Sequence, residues 1–166
     1  MTAPFVPPLT LAADRLPALD PDLRPDLRAG IEAMPASRLI GLTVAGFDAA
    51  GRSRIELVVR PELTFDGRVV QGGIVGLLAD YAGVSAAAAS LPAGWMASTT
   101  GFEVHTLAPA TGDRLVALGE AVQVGRSSGV SKAEVWAVTG ATATRVGIAT
   151  TTCRPFEWPP RRSVPA

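Results

Sequence analysis

Residues 71–90 read QGGIVGLLADYAGVSAAAAS, and the fold follows from how this stretch can be housed. Entered through Gln71-Gly72-Gly73 and stopped by Leu91-Pro92-Ala93-Gly94, it predicts one helix from about Gln71 to Ser90. Nearly every face of that helix is apolar, so it must be covered on nearly every side. A membrane span is the competing reading for Gly72 to Phe102, where Asp80 is the sole charge. The Asp at its centre and the excess of Gly and Ala over Leu, Ile and Phe make insertion costly, so a buried core helix is expected.

The chain downstream supplies the cover. Trp95 to Leu107, Arg114 to Val124, Val130 to Thr139 and Ala143 to Cys153 are strand-length runs. Turn signals separate them at Pro109 to Asp113, Gly125 to Gly129 and Thr139-Gly140. Connections this short favour antiparallel neighbours. Upstream, Leu39 to Ala45 reads as a strand, Asp48-Ala49-Ala50-Gly51 as a hairpin turn, and Arg54-Ile55-Glu56-Leu57 alternates with the period of a half-buried strand. Before these, Leu27, Ile31 and Met34 sit at helical spacing in a short helix from Asp26 to Met34. Pro4, Pro7, Pro8, Pro17, Pro21 and Pro25 deny the leading segment a long helix. The expected class is α+β: a curved antiparallel sheet of about six strands wrapped around one long central helix. The expected divisions are a Pro-rich arm over residues 1–24, one domain over 25–156 and a tail over 157–166.

Composition narrows the partners. The 166 residues carry 15 Lys plus Arg and 15 Asp plus Glu, a formal net charge of zero, so no basic face is expected to hold nucleic acid. Cys153 is the only cysteine, which excludes an internal disulfide framework and a multi-cysteine metal site and suits a reducing compartment. MTAPFVPPLT lacks the basic and apolar regions of a secretory signal. A cytoplasmic protein without nucleic-acid or membrane partners is expected.

Asp80 is the candidate for chemistry. A buried ionised carboxylate without a partner costs several kcal/mol, roughly, and no Lys or Arg stands nearby in sequence. Its structural explanations are a place at the mouth of a crevice or pairing with a distant Arg. Gln71-Gly72-Gly73 opens the helix where unpaired N–H groups and the positive end of the helix dipole can hold a developing anion, although capping and close packing explain a Gly-Gly pair equally well. His105 has no partnering Cys or carboxylate motif and reads as a packing or surface residue. Ser127-Ser128 lacks a nucleophile elbow, which disfavours a serine hydrolase. No metal or cofactor is expected.

The motif QGGIVGLLADYAG, followed by TTGFEVHTLAPATGDRLVALGEAVQVGRSSGVSKAEVWA, resembles the hotdog-fold acyl-CoA thioesterases of the phenylacetate-degradation (PaaI-like) type over roughly Gly41 to Cys153. The resemblance implies hydrolysis of an acyl- or aryl-CoA to free acid and CoA, with CoA belonging to the substrate. It further implies that Asp80 activates water or attacks the thioester, that the Gly72 N–H joins an oxyanion hole and that Thr99 positions the water. Gly73, Gly125, Arg126 and Ser127 would lie along the substrate. Sites of this kind form between subunits, which implies a homodimer or a dimer of dimers, a homotetramer. Gln71 stands where the family usually has histidine; it can donate a hydrogen bond but cannot shuttle a proton near neutral pH. A non-catalytic acyl-CoA-binding protein is the main alternative, and a hotdog hydratase or dehydratase the lesser one.

Overall fold

The computed structural model describes residues 5–158. Their order is β1 (Thr10–Ala12), α1 (Pro25–Ala33), α2 (Pro35–Ile40), β2 (Leu42–Phe47), β3 (Arg52–Val58), α3 (Gly72–Ala89), β4 (Trp95–Thr106), β5 (Arg114–Val124), β6 (Gly129–Thr139) and β7 (Thr142–Glu157). The strands form one antiparallel sheet in the order β1-β7-β6-β5-β3-β2, with β4 also on β7. Thr142 to Thr144 of β7 pair with β1, and Gly147 to Glu157 pair with β4. The short β1 and long β4 therefore share one border of the sheet, end to end.

Helix α3 lies in the hollow of this sheet and packs against β3, β4, β5, β6 and β7. Val75, Leu78, Ala79, Ala82 and Ala86 are fully buried there, beneath Ile55, Leu57, Leu115 and Val135. Each large side chain so enclosed contributes about 1.5–3 kcal/mol. Small residues set how close the layers come. A Cβ on Gly83 would stand 2.8 Å from Thr151 Cγ2, and Ser53 Oγ of β3 donates to the Ala82 carbonyl at 2.6 Å. The apolarity that gives α3 the composition of a membrane span is thus taken up by the sheet.

The architecture expected from sequence is present, except that β4 pairs with β7 and not with β5, its neighbour across the short Pro109 to Asp113 connection, and there are three further local differences. Leu39 and Ile40 belong to α2, not to a strand: Pro35 pre-sets the first turn, and Gly41, at φ 76°, ends the helix so that β2 begins at Leu42. Seven strands stand where about six were expected, because Thr10–Ala12 of the proline-rich segment pairs with β7. Strand β7 also runs on to Glu157.

Beyond β1 the leading segment crosses the face of the sheet turned away from α3. Leu16 is buried there with Val116, Trp136 and Val138. Arg54 donates to the Leu16 and Pro17 carbonyls, and Asp20 exchanges backbone hydrogen bonds with Phe47. Residues 1–4 of the expected arm and 159–166 of the expected tail lie outside the described residues.

Candidate active site

Asp80 and Thr99 are brought together by the packing of α3 on β4. The Thr99 hydroxyl is 3.0 Å from both Asp80 carboxylate oxygens, and a hydroxyl so placed shares its one proton between them. Asp80 is half-buried and, among the described residues, makes no ion pair with Lys or Arg. Burial pushes its carboxyl above the usual carboxylate range, and the Thr99 hydrogen bond opposes that shift in part. Of its two structural explanations the carboxylate meets one, the place at the mouth of a crevice; the other is not met, because no arginine among the described residues pairs with it.

That crevice is an apolar pocket of about 370 Å³, bounded by Leu77, Tyr81 and Val84 of α3, Leu27 and Ile31 of α1, and Met96 of β4. Tyr81 is held by Ser37 of α2, whose hydroxyl donates to the phenol oxygen at 3.1 Å. A larger hollow of about 520 Å³ lies across the opposite face of the sheet. Its polar side chains are exposed and paired, Lys132 with Glu120 and the His105 ring with Glu103, whereas the smaller pocket holds the perturbed carboxylate at its mouth. The smaller pocket is therefore the candidate site. His105 points away from it, into the larger hollow, while Phe102 and Val104 of the same strand reach α3 at Gly76.

The glycine entry behaves differently from expectation. Gln71 caps α3 with its own side chain: its Oε1 accepts from the Gly72 N–H at 2.8 Å. The proposed oxyanion donor thus already has an acceptor, which must swing away before a substrate carbonyl can take its place. Close packing does not explain the pair either, since a Cβ on Gly72 or Gly73 would meet nothing within 4 Å and neither residue has a positive φ. Eight helical residues separate Gly72 from Asp80, about 12 Å along the axis, so one chain does not bring the two together.

Gly125, Arg126 and Ser127 form the exposed turn between β5 and β6, closed by the Gly125 N–H donating to Ser128 O at 2.8 Å. In register, Gly129 faces Cys153 and Cys153 faces Thr99, so this turn begins two strand spacings, about 10 Å, from Thr99. Cys153 is a neighbour that sequence reasoning missed. Burial first, and then the Asp80 charge, push its thiol upward, while a hydrogen bond from the Gly129 backbone opposes them. The group is held as a neutral thiol beside the carboxylate, unsuited to act as a nucleophile. Among the described residues, no three His, Cys, Asp or Glu side chains gather into a metal set.

A carboxylate of raised pKa at the mouth of an apolar pocket, on a helix wrapped by an antiparallel sheet, can be compared with known proteins. The family model described as the thioesterase superfamily matches residues 67–144, a span containing Gln71, Asp80, Thr99 and the Gly125–Ser127 turn. Over that span the chain is similar to the thioesterase superfamily. Solved structures of this superfamily share its hotdog fold. A thioesterase family protein of Silicibacter pomeroyi superposes with a TM-score of 0.73 at 24% identity, covering 79% of this chain and 96% of that one. A thioesterase of Haemophilus influenzae gives 0.67 at 15% identity over 80% of this chain and 90% of its own. The PaaI protein of the Escherichia coli phenylacetic acid degradation operon gives 0.64 at 20% identity over 77% and 88%. At these identities the likeness is one of fold. No curated protein sequence matches the chain.

Proposed function

We propose that this chain is an acyl-CoA thioesterase, and one observation carries the reading: Asp80, half-buried at the pocket mouth, has Thr99 as its polar partner and no neutralising arginine among the described residues. The ionised carboxylate takes a proton from water as the water oxygen bonds to the thioester carbon. The tetrahedral intermediate then expels the thiolate, which takes the proton back, leaving free acid and CoA. Direct attack by the carboxylate, followed by hydrolysis of the anhydride, uses the same geometry.

The oxyanion is assigned to the Gly72 N–H of a second copy, with Gln71 swinging aside and then free to donate through its amide. Two features support a cross-subunit site. Gly72 and Gly73 have open space before them, and β4 pairs with β7 on one border while Thr99 lies exposed beside its other border. An exposed strand edge invites a further strand. The reading is thus a homodimer, or a dimer of dimers, acting on CoA thioesters in the cytoplasm. Gly73, Gly125, Arg126 and Ser127 flank the pantetheine and phosphates.

Thiol release from a panel of acyl-CoAs tests this. Asp80→Asn, which keeps the shape and the Thr99 contact, should lower kcat about 10³-fold while binding persists. For wild type, kcat should fall as pH drops through the raised Asp80 pKa, because only the ionised form accepts the proton. Full activity in Asp80→Asn removes the mechanism. The capping of Gly72 by Gln71 favours a second reading, a protein that binds acyl-CoA without turning it over; tight binding with no thiol release selects it. The hydratase reading loses its base, since His105 lies on the other face of the sheet, beside Glu103.

A further inference from the structure

The outer face of the sheet, turned away from α3, is divided into two unlike halves. One half is charged: Arg52, Glu120, Lys132, Thr150 and Glu103 follow one another in register across β3, β5, β6, β7 and β4, and all are exposed. An antiparallel sheet with one face on the core ordinarily shows water such a surface on its other face. The second half departs from that pattern. Val116, Trp136, Val138 and Ala143 stand on the same outer side, yet they are apolar and at most 3% exposed. The chain's own leading segment, residues 9–20, covers them.

That segment has a seat built for it. On the β7 side, Thr10–Ala12 pairs with Thr142 to Thr144, the Arg145 N–H donates to the Leu9 carbonyl and the Ala13 N–H to the Ala141 carbonyl, each at 2.8 Å. At the β2 border, Asp20 exchanges backbone hydrogen bonds with Phe47 at 2.9 and 3.0 Å. Between these anchors Leu16 sinks into the apolar half. Arg54, its side chain 12% exposed, donates to the Leu16 and Pro17 carbonyls at 3.3 and 2.7 Å. A Cβ on Gly46 would stand 2.8 Å from the Leu19 and Asp20 backbone, so the side chain missing at 46 is the space through which the segment passes. Arg24 then turns the chain into α1 with a left-handed φ of 58° and donates to the carbonyls of Ala88, Leu91 and Trp95 at 2.8, 2.7 and 2.9 Å. The segment is thus tethered to the core independently of its seat.

Lifting the segment uncovers two things at once. One is Trp136 with Val116, Val138 and Ala143, an apolar patch on the order of a few hundred Å². The other is the edge of β7 at Thr142 to Thr144, which β4 does not reach. Apolar patches of that size mark association sites, and a bare strand edge pairs with another strand. A two-fold contact uses one such surface twice, so a second copy brings the matching patch and the matching edge. We propose that residues 9–20 are a guard on assembly: within one chain they occupy the surface through which a second copy of this chain joins when they lift. The inference goes beyond the thioesterase reading and does not rest on it, because neither substrate nor any candidate site residue takes part.

The test uses the full chain and breaks the contact from its two sides. Leu16→Asp puts a charge into the apolar half, and Gly46→Ala puts a Cβ into the path of the segment. Hydrogen exchange over residues 10–20, where the Ala13 and Asp20 amides are bonded in the wild type, reports whether the segment has lifted. Light scattering reports the mass of the assembly. In both variants exchange there should quicken about tenfold while the urea melt stays cooperative, and the mass should rise about twofold. Leu16→Met should keep the wild-type exchange and mass. A synthetic peptide of residues 9–20, added in excess to Leu16→Asp, should fill the bared seat and return the mass to the wild-type value. A lifted segment with unchanged mass overturns the guard. So does a rise in mass that the peptide does not reverse, which is association through misfolding, and so does exchange that stays slow in both variants, because Leu16 and Gly46 then do not hold the segment down.

Discussion

The two ends of α3 are treated in opposite ways. At the C-terminal end, one carbonyl of the last turn of α3 and two of the segment that follows it are met from the far side of the fold. Arg24 takes those of Ala88, Leu91 and Trp95, and Asp26 binds both Arg24 and Gly94. The Arg24 guanidinium, first among several hydrogen bonds, draws the Asp26 carboxyl far below its ordinary range. At the N-terminal end, the only cap on Gly72 is a short loop back from Gln71, and two glycines face empty space. One end is complete within a single chain. The other has features that the chain's own packing does not use, which is how a surface destined for substrate or a second copy is expected to look.

Breaking the completed end should cost the most stability. Arg24→Ala removes charged donors from three carbonyls at a site only 10% exposed, a loss of about 2–3 kcal/mol, or a fall in Tm of about 5–10 °C. Arg24→Gly should lose less, by about 1 kcal/mol, because glycine adopts the left-handed φ freely. Equal losses in thermal denaturation would mean that the φ of 58° stores no strain.

Glycines sharpen the contrast. A Cβ at Gly83 would lie 2.8 Å from Thr151 Cγ2 and 3.1 Å from its Cβ, on a buried β-branched side chain within a strand. Gly83→Ala should therefore destabilise by about 1–3 kcal/mol. Gly73→Ala, in the same helix but against open space, should stabilise by about 0.5–1 kcal/mol and still lower kcat/KM about tenfold if that face meets substrate. Urea melts paired with thiol-release assays separate these outcomes. A stabilised and fully active Gly73→Ala would show that the open end does no chemistry.

Acid probes the same comparison with a smaller effect. The depressed pKa of Asp26 means that its contribution to stability is present above the ordinary carboxylate range and is lost as pH falls toward the folded value. Asp80 is raised and acts oppositely: its ionised form opposes folding, and its protonation on acidification relieves that cost. Asp26→Asn should thus flatten the acid side of a Tm-against-pH curve, whereas Asp80→Asn should raise the plateau near neutrality slightly.

What sequence could disclose tracks how local the cause is. The length and apolarity of α3, the turn at Asp48 to Gly51 and the antiparallel neighbours β5, β6 and β7 rest on periods of two or 3.6 residues and on turn chemistry, all contained in short windows, whereas β4 pairs with β7 and not with β5, which no short connection signals. Asp80 stood out because one charge within some thirty uncharged positions is a local anomaly. Leu39–Ile40 misled because two apolar residues before Leu42-Thr43-Val44 have no period of their own, and the left-handed glycine at 41 decides where the strand starts.

By itself, then, the sequence determined that a greasy helix carrying one carboxylate must be wrapped by an antiparallel sheet. Only the tertiary structure decided what surrounds that carboxylate. Thr99 reaches Asp80 across 19 positions, Arg24 reaches Ala88 across 64, and α1 becomes a pocket wall. Such pairings depend on how elements dock, and no window of local propensity or periodicity records which distant side chain will meet which carbonyl.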